Sequence, residues 1–165
     1  MDQQTYLGLV RRTLAENGFE ISSDTVGQLN VIVAKKKQFK FSWFATQLSM
    51  HVYIAGVENV TAELAAEYSR QSIEHAIKNH VGLPRAMQSA IVAFAVLVTQ
   101  HADDAAKQLV QNCPNKHIAA FEMPVIVDIA NSKIYSYKKT PIWGAVYFKT
   151  FRALIEQLLN GPFNK

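Results

Sequence analysis

Apolar and polar positions along the chain change period several times, and each change marks an element. Leu7, Val10 and Leu14 recur at helical spacing and predict a first helix. Gly18 stands where a left-handed C-terminal cap belongs, and Phe19 is placed to fold back onto the last turn. From about residue 28 the period shortens to two. Leu29, Val31 and Val33 alternate with Gln28, Asn30 and Ile32, and Phe39, Phe41 and Trp43 alternate with Lys40 and Ser42, as half-buried strands do. The polar stretch Lys35-Lys36-Lys37-Gln38 reads as the turn between these strands. A third strand, Met50 to Ala55, ends at Gly56, so an antiparallel meander is expected over 28–55.

Thr61 to His80 predicts the clearest helix. Glu63, Glu67, Arg70, Glu74 and Lys78 share one side, with Arg70–Glu74 and Glu74–Lys78 at the spacing of ion pairs. The opposite side is small in its middle (Ala65, Ser69, Ser72, Ala76), which lets the helix axis lie close on a sheet. Ala90 to Val98 is apolar at every position, as a central strand covered on both faces requires. Asp103 and Asp104 open a short helix to about Asn112, and Ile118 to Ile129 forms a second apolar strand, giving a parallel pair within 88–129. Pro124 removes a ladder donor from that strand and argues for an edge or a bulge. Lys133 to Lys138 reads as one more strand. A last helix, Ala145 to Leu159, carries a stripe of Tyr147, Phe148, Phe151, Leu154, Ile155, Leu158 and Leu159. The expected fold is α/β or α+β, one domain over 1–165, with a mixed sheet of about six strands and helices on both faces.

With 49% apolar and 18% charged residues among 165, the chain can bury a sizeable core, and disordered or collagen-like classes are excluded. Its longest apolar run, Ala90 to Val98, is far shorter than the ~20 residues of a membrane span. No secretory signal opens the chain, and the single Cys113 suits a reducing compartment, so a cytoplasmic protein without a membrane role is expected. Cys113 has no paired base nearby and reads as an inert thiol. The net charge of +4 lies entirely in the second half, which favours a phosphate-bearing partner or serves solubility.

Catalytic motifs are missing. There is no glycine-rich phosphate loop, no Gly-x-Ser-x-Gly elbow and no His-Glu-x-x-His pair. The order helix, three strands, helix, strand, helix, strand resembles the core of restriction-endonuclease-like nucleases. That resemblance implies a divalent metal held by an acid and a Glu-x-Lys or Asp-x-Lys. No acidic residue here has Lys two positions on, and Phe39 to Ala55 contains no carboxylate, so a catalytically inactive relative is the expectation on that reading.

The remaining candidates are read with their plain alternatives. Glu74, His75 and His80 do not share a metal-binding helix face. His101, with Asp103 and Asp104, sits at a strand end where α/β proteins bind ligands, but helix capping accounts for the acids. Glu122 in an apolar strand is read as facing water from an edge position. Lys35, Lys36 and Lys37 are read as a solvated hairpin tip with Phe39, Phe41 and Trp43 in the core. Arg85 with Lys138, Lys139 and Trp143 form the candidate contact surface, two cation-bearing loops suited to phosphate or carboxylate groups. No catalytic residue, cofactor or metal is expected. The leading functional expectation is a non-enzymatic cytoplasmic binding protein. The alternative is a nuclease-like protein acting on nucleic acid, and the partner classes left open are an anionic ligand, nucleic acid or a second copy in a homodimer. Any dimer should use loops or a sheet edge, because one sheet face can satisfy the last helix's stripe.

Overall fold

The computed structural model describes residues 1–40, 46–81, 89–112 and 114–164, with the backbone alone at 40, 46 and 143. Helix α1 (Gln3–Glu16) starts at Asp2, whose carboxylate accepts from the Thr5 N–H at 2.8 Å. It ends as expected. Gly18 takes φ +78°, its N–H donates to the Ala15 carbonyl, and the Phe19 N–H reaches back to Leu14.

Three antiparallel strands follow: β1 (Glu20–Val26), β2 (Leu29–Lys40) and β3 (Thr46–Gly56). The turn from β1 to β2 is two residues long and has Gly27 at φ +60°, under the Gln71 side chain. Strand β1 went unread in the sequence because Ser22, Ser23, Asp24 and Thr25 are polar on both faces. The Lys35-Lys36-Lys37-Gln38 stretch is no turn. It lies inside the continuous strand β2, paired with β3, and Phe39 is exposed where a core position was expected. Long lysine stems allow this, since they cover apolar surface while the ammonium stays wet. Lys36 sits over the Phe19 ring and donates to the Asn17 carbonyl at 2.7 Å. Phe41 and Trp43 lie outside the described residues, as does Cys113.

Helix α2 (Ala62–Lys78), capped by the Thr61 hydroxyl, then crosses to the central strand β5 (Ser89–Thr99), which runs parallel to β3. The short strands β4 (Asn59–Val60) and β6 (His101–Ala102) pair beside this crossover. Helix α3 (Asp104–Gln111) leads through β7 (Lys116–His117) to β8 (Ala120–Asp128), parallel to β5. With β9 (Lys133–Tyr135), the sheet has seven strands in the order β1-β2-β3-β5-β8-β7, β9 also pairing with β8. On its outer side β8 meets β7 at 120–121 and β9 at 126–128, and Pro124 falls between those two pairings, where no ladder donor is needed.

Both faces are covered. On one, α1 and α4 (Ala145–Ile155) pack Tyr6, Val10, Leu14, Phe148 and Phe151 against Met50, Phe94, Val96 and Met123. Past α4 the chain opens into a wider turn over Glu156–Asn160, where the Tyr6 hydroxyl donates to the Leu159 carbonyl at 2.7 Å. On the other, the small side chains of α2 sit on Ala93 and Ala95 of β5, so helix and sheet approach closely. Among the described residues no helix is long and apolar enough to cross a membrane.

Candidate functional site

The sheet face under α2 is apolar in the middle and polar near the helix C-terminus. Direct cross-strand pairing sets Glu20 opposite Lys35, Lys35 opposite His51, and His51 opposite Ala93. Two residues away on the same face, Lys37 pairs with Ser49 and Val33 with Tyr53. The last turn of α2 brings His75 and Asn79 over this row, and His80 follows. Lys35, Lys37, Ser49, His51 and His80 line one cleft of about 510 Å³, with Glu20 at its side. The Lys37 ammonium donates to the Val81 carbonyl at 2.8 Å, tying β2 to the segment after α2.

Behind the cleft runs a chain of hydrogen bonds through three elements. Asp24 Oδ2 lies 3.1 Å from His75 Nε2, and His75 Nδ1 lies 3.1 Å from the Tyr53 hydroxyl. That hydroxyl is in turn 3.3 Å from His51 Nδ1. His51 is 5% exposed, and its pKa is pushed down to about 4. Burial is the main cause, with the charges of Lys35, His80, His75 and Lys37 adding to it. The ring is therefore neutral at physiological pH. Lys35 is half-buried as a residue and its ammonium makes no hydrogen bond or ion pair among the described residues, and the buried Ser49 hydroxyl has no partner. A cation and a hydroxyl left without partners beside a neutral imidazole suit an anion. The lack of paired carboxylates disfavours a divalent cation, and no group of three or more His, Cys, Asp or Glu that could hold a metal occurs among the described residues.

The chain matches no known family, no curated protein and no solved structure. The site therefore rests on its own geometry.

Of the residues singled out from the sequence, Lys35, Lys36, Lys37 and His80 line this cleft and His75 stands behind it, whereas the expected contact surface and the other candidates lie elsewhere. Lys138 and Lys139 are exposed, the Lys139 carbonyl accepting from Arg152 at 2.8 Å. Trp143 has its backbone in the short 3-10 turn Ile142–Gly144, and Arg85 lies outside the described residues. His101 is exposed on β6, and the strand ends near it are closed by Gln3, whose Nε2 donates to Val57 and Val98 carbonyls at 2.9 and 2.8 Å. Asp103 holds the N-cap position of α3 without a side-chain cap bond. Glu122 does not face water. It is 4% exposed and bonded to His117 at 2.8 Å, because β7 folds back over the start of β8. Sequence reading missed Asp24, His51 and Tyr53. The available signal was Ser49 and His51 recurring at period two, opposite the apolar face of Leu48, Met50, Val52 and Ile54.

Proposed function

We propose that the protein is a cytoplasmic binding protein that holds a small oxyanion in the cleft between β2, β3 and the end of α2. One observation carries the reading: the ammonium of half-buried residue Lys35 makes no hydrogen bond or ion pair among the described residues, in a cleft it shares with neutral His51. A cation without a partner gains from an anionic one, and charge-assisted hydrogen bonds are roughly twice as strong as neutral ones. Ser49 stands at the same wall, its buried hydroxyl without a partner. The cleft is sized for a small ligand. Glu20 beside it disfavours a long polyanion. Titrating inorganic phosphate into 15N-labelled protein tests this. Saturable shifts at Lys35, Ser49 and His51, abolished in Lys35→Met, are expected. Absence of saturable shifts there, or binding unchanged in Lys35→Met, would overturn the reading.

A further inference from the structure

The hydrogen-bond chain behind His51 has a direction, and the direction sets what the cleft can recognise. Asp24 is a carboxylate, held below its usual range first by the Thr25 N–H and further by His75. An ionised carboxylate only accepts, so His75 Nε2 carries the proton between them. With that as its only proton, the His75 ring bears a lone pair on Nδ1, and two donors approach it: the Tyr53 hydroxyl at 3.1 Å and Asn79 Nδ2 at 3.4 Å. With its one proton given to His75, the Tyr53 oxygen accepts from His51 Nδ1. His51, a neutral ring, is left with a lone pair on Nε2, and that nitrogen makes no hydrogen bond among the described residues.

We infer that the cleft selects oxyanions that still carry a proton, namely inorganic phosphate or a phosphomonoester monoanion, over sulfate. The inference rests on the oxyanion reading above. Lys35 donates to the charged oxygens, and His51 Nε2 accepts from the P–OH. Sulfate at neutral pH has no proton and sets an acceptor against the lone pair. A phosphodiester has none either, which separates this site from one built for a nucleic-acid backbone. The neutral state of His51 keeps the acceptor available down to mildly acidic pH. Tyr53 is a positioning residue here, acting through the His51 tautomer.

Calorimetric titration with inorganic phosphate and with sulfate at pH 7 tests the inference, alongside imidazole 15N–1H spectra that report each tautomer. Phosphate should bind at least about tenfold more tightly than sulfate, the size of one unmade buried hydrogen bond. His51 should show its proton on Nδ1. Tyr53→Phe frees the ring to turn its proton toward the cleft and should bring the two anions within about threefold. Asp24→Ala, at an exposed position, should act in the same direction and serves if Tyr53→Phe fails to fold. Equal binding of the two anions, or a His51 proton on Nε2, overturns the inference and leaves the oxyanion reading standing. Binding of neither anion defeats the oxyanion reading itself.

Discussion

Acidification offers a direct measure of how tightly the fold holds His51. Unfolded, the ring titrates at its ordinary value near 6.5; folded, burial and then the charges of Lys35, His80, His75 and Lys37 push it down to about 4. Between those values the unfolded chain binds a proton that the folded chain does not. The stability this ring contributes is therefore fully present above pH 6.5 and is lost as pH falls toward 4. Each unit is worth about 1.4 kcal/mol, so the loss reaches about 2 kcal/mol at pH 5 and about 3 kcal/mol near pH 4. Urea unfolding of the wild type and of His51→Gln from pH 7.5 to 4.5 isolates this contribution, because every other titrating group is common to both. The wild type should lose about 2 kcal/mol more than the variant between pH 7.5 and 5. Parallel stability curves would refute the reasoning, as would an NMR midpoint for His51 close to 6.5. Lys35→Met should move that midpoint upward, since its charge is the first cause after burial.

Three stability experiments address the frame around the site. Gly18→Ala should cost about 1 kcal/mol in urea unfolding, because φ +78° disfavours a side chain although the added Cβ would meet only the end of Lys36 at an ordinary 3.7 Å. His117→Ala strips the buried Glu122 carboxylate of its hydrogen-bond partner and should destabilise by about 1–3 kcal/mol. Adding Glu122→Leu to that variant should recover much of the loss, and a double variant no more stable than the single one contradicts this account. Phe151→Asp places a charge among Phe94, Phe121, Tyr147 and Phe148 and should abolish the cooperative thermal transition followed by circular dichroism. A folded Phe151→Asp product of altered oligomeric state would mean that the stripe faces another chain.

Period and punctuation in the sequence determined the elements whose burial is lopsided or complete. The two capped helices, the all-apolar β5, the small face of α2 and the aromatic stripe of α4 were legible because each side chain's environment follows from its neighbours at fixed spacing. Sequence reading failed where a residue's environment comes from a distant partner. The polar strand β1 forms because β2 offers its backbone, and three successive lysines stay in β2 because α1 and the segment after α2 receive two of their ammonium groups. Glu122 is buried because β7 returns over it.

The candidate site belongs wholly to this second kind. Asp24, His51, Tyr53 and His75 are scattered over 52 positions and share no motif. Strand pairing sets Lys35 beside His51, and the α2 crossover places His75 between Tyr53 and Asp24. Burial sets the charge state of the ring. A one-dimensional pattern encodes which face a side chain takes, because that depends on local backbone geometry. Which partner it meets, and which proton it keeps, was decided only when the sheet and its covering helix closed over it.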